Sequence, residues 1–303
     1  MGHKSCSTLK SIAVLLFALL ASVTLSSAQQ KKYNPAYYSP AAARWADSIL
    51  LKLSVEEKIG QLFMINVFSN RDAAYEKEII DKVEKYKLGG VIFFKGTPYR
   101  QAVLTNRLQS TPSVPLMIGI DGEWGLNMRL DSTVRYPRQM TLAASNNPKL
   151  AEVMGRAIAR NCKRLGVHVN FAPSVDINTN PANPIICNRS FGERREEVTQ
   201  FGLEYMRGMQ SENVLACAKH FPGHGNTSTD SHYVLPVVTA DSLQLDSVEL
   251  YPFRELIKNG VSSVMVAHLY VPALDSSGKK ACSLSPIVVD SLLKGKEGFD
   301  GLV

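Results

Sequence analysis

Three of the six histidines of this 303-residue chain lie in one stretch, residues 216–236, which reads ACAKHFPGHGNTSTDSHYVLP. The stretch begins with an apolar run that predicts a buried strand. Histidine, lysine and aspartate are costly to bury and do little for a turn, so a loop rich in them indicates chemistry. Loops that follow strands are where α/β proteins place their reactive groups.

Asp230 and His232 are two residues apart in this stretch. In a loop, that spacing lets the carboxylate bind one imidazole nitrogen while the other nitrogen faces a substrate. Such a pair fixes the tautomer and can shuttle a proton near neutral pH. The alternative, from these two residues alone, is a loop-stabilising aspartate beside a surface histidine.

Polar side chains also follow several predicted strands. Lys219 and His220 end the strand at residues 214–220, so alternation predicts that they point in opposite directions at its rim. Asp121 follows an apolar strand directly, while Arg129 and Arg189 lie in polar loops after strands. Either arginine could bind a carboxylate or hydroxyl groups, and the alternative for each is a solvent-exposed structural role.

Metal and cofactor sites are not predicted. Four residues of the long stretch are of types that bind metals: His220, His224, Asp230 and His232. They show no helical metal spacing, and no Walker or G-x-G-x-x-G motif indicates a nucleotide. The chain also lacks a C-x-x-C pair, so we expect mostly buried free thiols at Cys162, Cys187, Cys217 and Cys282.

The elements that must position these residues alternate between strand and helix. Helices are predicted at 41–53, 72–87, 98–110, 147–165, 193–211 and 241–259, and strands at 61–67, 91–94, 116–120, 167–171, 214–220 and 261–267. Uniformly apolar strands are typical of a parallel sheet, which fits a (β/α)₈ barrel or a doubly wound sheet. Polar residues recur after strand ends, which favours the α/β barrel.

The two ends of the chain lead to separate expectations. Lys4 and Lys10 precede an apolar run at 12–25 and a Ser-Ser-Ala sequence, so residues 1–28 predict a secretory signal peptide, with an uncleaved anchor as the alternative. We therefore expect a periplasmic or secreted protein without stable membrane insertion. Residues 29–303 form about six or seven strands, fewer than the eight of a closed barrel, so we expect a barrel truncated before its last strands.

The arrangement of the basic residues argues against a nucleic-acid partner. The formal charge is +7, and removal of the leader would take away two of its lysines. No block of Lys and Arg interleaved with aromatic residues indicates nucleic-acid binding.

Lys-His-Phe-Pro-Gly-His-Gly at 219–225, Asp-Ser-His at 230–232 and Leu-Pro at 235–236 closely resemble the signature of glycoside hydrolase family 3. More narrowly, they resemble its bacterial β-N-acetylglucosaminidase branch. Further matches, in the family's order, are Ile120 and Asp121 with Glu123 and Gly125, the segments at 170–173, 189–192, 266–268 and 298–301, and Asp176. The resemblance covers nearly all of the chain after the leader.

The resemblance implies a (β/α)₈ barrel that hydrolyses glycosides with retention, here terminal β-linked GlcNAc of wall-derived or other glycans. It implies that His232 is the general acid/base and that Asp230 is its partner. The sugar-binding positions that it implies are Asp121, Arg129, Arg189, Lys219 and His220. The alternatives are a β-glucosidase or β-xylosidase of the same family, or a non-catalytic glycan-binding domain of a larger fusion protein.

Two departures from the family pattern lead to further expectations. Leu126 stands where the branch commonly has an arginine, so we expect recognition of part of the substrate to differ. The family nucleophile is an aspartate just after Phe-Asp-Gly, so we expect it beyond Val303 and do not assign it to Asp300. We therefore expect residues 29–303 alone to be inactive. Some exported members carry an additional C-terminal domain.

Overall fold

Six strands form one sheet in the computed structural model, which describes residues 39–110, 112–229 and 235–303. The strands are β1 Met64–Phe68, β2 Gly90–Lys95, β3 Met117–Ile120, β4 Val169–Asn170, β5 Leu215–Phe221 and β6 Ser263–Val266. They are ordered β1-β2-β3-β4-β5-β6, and every neighbouring pair is parallel. Near the end of the described chain, Leu302 forms a parallel bridge to Ser263 on the outer edge of β6.

Helices alternate with these strands, most of them at the predicted places, although the helix at Gln139–Ala143 is not predicted and the predicted helix at 241–259 is divided in two by a π-helical segment. They are α1 Pro40–Leu50, α2 Val55–Gln61, α3 Ala73–Tyr86, α4 Pro98–Gln109, α5 Gln139–Ala143, α6 Lys149–Arg164, α7 Arg195–Ser211, α8 Ser242–Gln244 and α9 Leu250–Lys258. Leu245–Glu249 and Ile287–Lys296 are π-helical, and the first of these segments joins α8 to α9. Short 3₁₀ turns lie at Leu126–Met128, Cys187–Arg189 and Cys282–Leu284.

Local sequence signals explain where several helices begin. A capping box begins α2, because Ser54 Oγ accepts from the backbone N–H of Glu57 and the Glu57 carboxylate accepts from that of Ser54. Asp72 caps α3 and Asp241 caps α8, each with a side-chain oxygen that accepts the backbone N–H three residues later. The capping residues thus fix the starts of α2, α3 and α8.

The order of the strands decides between the two α/β architectures. A doubly wound sheet reverses its strand order at a switch point, whereas a barrel keeps neighbours in chain order, as β1 to β6 do. The strands carry fully buried apolar side chains such as Val91, Phe93, Ile118 and Ala218, because helices cover the sheet. The predicted TIM-barrel-like fold is confirmed, and all carboxyl ends of its strands meet at one rim.

Two predictions concern residues beyond these limits. The signal peptide at 1–28 and the pair Asp230 and His232 lie outside the described residues and stay predictions. Among the described residues, no helix is long and apolar enough to cross a membrane.

Candidate active site

A cavity of about 370 Å³ opens at the carboxyl ends of the strands. Its lining is Asp121, Met128, Arg129, Ile185, Arg189, Lys219, His220, His224, Met265, Val266, Ala267 and His268. All five residues predicted to bind sugar line this one cavity. A second cavity, of about 500 Å³, lies near the amino ends and is lined by residues such as Met64, Gly90 and Met117, but by none of the predicted site residues.

One side of the cavity is lined by charged residues, here called the polar wall: Asp121, Arg129, Arg189 and Lys219. Lys219, at the end of β5, is the most buried of them. Its side chain is 2% exposed, and its Nζ lies 3.1 Å from Asp121 Oδ1 and 2.8 Å from Glu123 Oε1. Burial alone would lower the pKa of Lys219, but Glu123 and Asp121 outweigh it and raise the pKa. Burial would likewise raise the pKa of Glu123, yet Lys219 and Arg189 lower it to about 2. These groups therefore stay charged over the whole neutral range.

Arg189 reaches the same carboxylate from the loop after β4. Its Nε lies 3.0 Å from Glu123 Oε2 and its Nη2 lies 2.7 Å from Glu123 Oε1, which is the bidentate geometry of strong Arg–carboxylate pairs. Its Nη1 donates to the carbonyl oxygen of Ile185 at 3.3 Å. Glu123 therefore fixes the plane of the Arg189 guanidinium and also binds the Lys219 ammonium group.

Arg129 is held on the other side of Asp121. Its Nη2 lies 2.7 Å from Asp121 Oδ2, and its guanidinium lies 4.5 Å from the ring centroid of Phe94. Burial would raise the pKa of Asp121, but Lys219 and Arg129 outweigh that effect and lower it. Part of each side chain reaches the cavity, since Arg129 is 22% exposed and Asp121 is 12% exposed.

His220 is oriented by a fully buried carboxylate. Asp176 Oδ2 lies 2.7 Å from His220 Nδ1, and Asp176 Oδ1 accepts the backbone N–H groups of His220 and His224 at 3.1 and 2.7 Å. His220 Nε2 lies 3.4 Å from Arg189 Nη2. Because a guanidinium can only donate, Nε2 is the acceptor and Nδ1 carries the proton. Burial lowers the pKa of His220 and outweighs Asp176, which agrees with a neutral ring.

The predicted orientation of Lys219 and His220 is wrong. Both side chains line the same cavity and approach Arg189 or its carboxylate partner, so they do not point to opposite sides. The pairing of β5 with β6 shifts register between Lys219 and Phe221. Such an irregularity interrupts the alternation of side chains at the point where the strand ends.

Sequence reasoning gave no role to two of the carboxylates that organise the site, Glu123 and Asp176. From the sequence, both are only matches to the family pattern. His268 also lines the cavity, with its Nδ1 2.8 Å from Ser283 Oγ. Leu126 is 3% exposed within the hydrophobic core and does not line the cavity, so no charged group enters from that position.

The chemistry of the described site is that of a hydrogen-bonding pocket. Asp121 and His220 can accept hydrogen bonds from a ligand, while Arg129 and Arg189 can donate them. Each of these side chains is already held by an ion pair or hydrogen bond with a neighbouring residue, so the site is preorganised. The described residues contain no group of three or more metal-ligating side chains. Cys162, Cys217 and Cys282 are buried free thiols, as predicted, whereas the free Cys187 is exposed.

Comparisons with known proteins agree with this geometry. Residues 54–303 match the profile of the glycosyl hydrolase family 3 N-terminal domain. β-Hexosaminidase A of Pseudoalteromonas piscicida is 35% identical over 249 residues, covering 74% of this chain and 42% of the relative. A β-N-acetylglucosaminidase/β-glucosidase of Cellulomonas fimi is 32% identical over 267 residues, covering 86% and 47%.

A solved structure gives the same result. The glycoside hydrolase family 3 β-N-acetylglucosaminidase of Paenibacillus sp. str. FPU-7 superposes with a TM-score of 0.76 at 38% identity, covering 82% of this chain and 48% of that one. The chain thus spans about half the length of these relatives. On the sequence match, the barrel-like fold and the site together, the chain belongs to glycosyl hydrolase family 3, through its N-terminal domain.

Proposed function

We propose that the protein is an exported, retaining β-N-acetylglucosaminidase that removes terminal β-linked GlcNAc from wall-derived or other glycans. The observation that carries this proposal is the convergence of all five predicted sugar-binding residues on one cavity. The names of the P. piscicida relative and the Paenibacillus structure support the choice of sugar. The signal-peptide pattern predicted at residues 1–28 supports export.

The cavity suits a neutral ligand rich in hydroxyl groups. Its cations already have carboxylate partners, so an additional anion would gain little there. Hydroxyl groups can instead donate to Asp121 or to His220 Nε2 and accept from Arg129 or Arg189. Glu123 binds both Arg189 and Lys219 in the buried part of the site. These side chains are therefore already ordered before a ligand binds, and binding does not have to order them.

Within this proposal, His232 supplies the proton chemistry and Asp230 stabilises its imidazolium. The protonated ring would donate to the departing glycosidic oxygen, and the neutral ring would then activate a water molecule. A retaining reaction also needs a carboxylate nucleophile on the opposite face of the sugar. Asp121, Glu123 and Asp176 each bind a cation or a histidine, so we assign that role to none of them.

The test compares two substrates on the full-length protein encoded by the gene. We expect faster release of nitrophenol from the β-N-acetylglucosaminide than from the β-glucoside, and loss of that activity in His232→Ala. His168→Gln is the matched control, because His168 bonds the backbone N–H of Ile118 and does not line the cavity. It should keep its activity.

The other outcomes identify the alternatives. Preference for the β-glucoside would favour the β-glucosidase reading, in line with the double name of the C. fimi relative and with the buried Leu126. Glycan binding without turnover of either substrate would favour a binding domain. Full activity in His232→Ala would remove the acid/base assignment.

A further inference from the structure

Phe94, near the end of β2, packs against one of the predicted sugar-binding arginines. The guanidinium carbon of Arg129 lies over its ring, 4.5 Å from the centroid. At that distance a cation is attracted to the electron-rich face of an aromatic ring. Among the described residues that line the cavity, Arg129 is included and Phe94 is not. An effect of Phe94 on a bound ligand must therefore act through Arg129.

The polar contacts of Arg129 do not by themselves fix the plane of its guanidinium. Within the described part of the chain, it meets a carboxylate through one pair of atoms, Nη2 and Asp121 Oδ2, and its buried Nε has no hydrogen-bond partner. Arg189 differs, because two of its nitrogens bind the Glu123 carboxylate and hold its plane. A single contact leaves the guanidinium able to rotate, so a second contact is needed, and the ring of Phe94 supplies it.

The backbone brings the ring and the arginine together from different segments. After β3 the chain returns to the end of β2, where a parallel bridge joins Gly96 to Leu130, the residue after Arg129. Gly96 also packs against Ser69 at the end of β1, since a Cβ at Gly96 would lie 1.8 Å from Ser69 Oγ. The end of β2 is thus fixed by both neighbouring segments, and Arg129 is placed beside the ring of Phe94.

The ring of Phe94 is itself supported by other aromatic side chains. Its centroid lies 6.1 Å from that of Phe68, with 41° between the ring planes. Phe68 in turn meets Tyr75 in an edge-to-face contact at 6.4 Å, and the Tyr75 hydroxyl accepts the backbone N–H of Phe68 at 3.2 Å. These contacts tie Phe94 to β1, so its ring is a fixed support for the guanidinium.

We propose that Phe94 is a positioning residue for sugar binding, which holds the guanidinium plane of Arg129 in the orientation that a ligand meets. This inference rests on the proposed function, in which Arg129 donates to a hydroxyl group of the sugar. The type and place of Phe94, an apolar residue within an apolar strand, indicate only a core position from the sequence. The role follows from the contact with Arg129.

Four substitutions separate the ring, the cation and the packing. Phe94→Leu removes the aromatic face and keeps an apolar side chain, whereas Phe94→Tyr keeps the ring. Arg129→Met removes the cation, so it tests whether Phe94 acts through Arg129. Tyr251→Leu is the matched control, because Arg195 lies 4.6 Å from the centroid of the Tyr251 ring and neither residue lines the cavity.

The experiment measures GlcNAc binding to the full-length protein and its variants by calorimetry. An arginine–ring contact that is partly shielded from water is strong enough to change a dissociation constant roughly fivefold. We expect Phe94→Leu to weaken binding by about that factor, and Phe94→Tyr and Tyr251→Leu to bind like the parent. In the Arg129→Met protein, adding Phe94→Leu should cause no further loss, because the partner of the ring is already gone.

Equal losses from Phe94→Leu with and without Arg129 would overturn the inference and leave the proposed function standing. Full binding by Phe94→Leu, beside weaker binding by Arg129→Met, would do the same. Binding of GlcNAc by Arg129→Met as tight as by the parent would refute the sugar-binding role of Arg129 and the inference with it. If Phe94→Leu does not fold, pentafluorophenylalanine at position 94 keeps a ring but reverses the charge of its face, and it should weaken binding likewise.

Discussion

Glu249, at the end of the π-helical segment before α9, is a buried carboxyl group without a hydrogen-bond partner for either oxygen among the described residues. It is 1% exposed and lies against Gly223, where a Cβ would come within 2.8 Å of Glu249 Oε2. Burial, and then the negative charge of Asp176, raise the pKa of Glu249 from 4.5 to about 7. The fold therefore favours its protonated form.

That shift makes the free energy of unfolding depend on pH. At about 1.4 kcal/mol per pKa unit, a pKa of about 7 in place of 4.5 corresponds to about 3 kcal/mol. The folded protein binds the proton more tightly than the unfolded chain does. The stabilisation by this proton is therefore complete below pH 4.5, decreases as the pH rises towards 7, and is absent above it.

Glu249→Gln keeps the shape of the side chain and cannot ionise. We expect the variant and the parent to differ little near pH 4.5 and the variant to be more stable at pH 8 by up to about 3 kcal/mol. The assay is urea unfolding of the full-length protein at several pH values between these limits. Glu84→Gln, at an exposed position of α3, is the control and should show no such pH-dependent gain.

The reasoning would be refuted by a stability difference between Glu249→Gln and the parent that does not change with pH. A gain that is larger at pH 4.5 than at pH 8 would contradict it as well. Either result would mean that the folded protein supplies Glu249 with partners for its charged form.

Three further substitutions test the described site. Glu123→Gln leaves Lys219 with a single carboxylate in a buried position, and we expect urea unfolding to show a loss of about 3–5 kcal/mol. Asp176→Asn removes the charged acceptor of His220 Nδ1–H, so titration followed by NMR should find the pKa of His220 lower still. His268→Ala should weaken GlcNAc binding in calorimetry while leaving the melting temperature within a few degrees, because this exposed ring lines the cavity.

The fold could be predicted from the sequence because its signals are local. Apolar strands and helix periodicity each act within a few residues, and the alternation of the two elements leaves few architectures. The five sugar-binding positions were found through the resemblance, and the structure brings them together, although their roles in binding stay predictions. Asp230 and His232 also stay predictions, since they lie outside the described residues.

The partners within the site could not be read from the sequence, because they depend on contacts between distant segments. Lys219 and Asp121 are 98 residues apart in the chain, and Arg189 and Glu123 are 66 apart. No local pattern specifies that Glu123 rather than another acid lies between two cations. The shared direction of Lys219 and His220 depends on an irregularity in strand pairing that residue types alone do not reveal.

The pairing of charges around the cavity has a consequence for how a ligand arrives. Three cations, Lys219, Arg129 and Arg189, are matched by three carboxylates, Asp121, Glu123 and Asp176, while His220 is neutral. The described cluster therefore carries almost no net charge, so it contributes little long-range attraction to an approaching ligand. Association with a neutral glycan should therefore proceed at the same rate in dilute buffer and in strong salt.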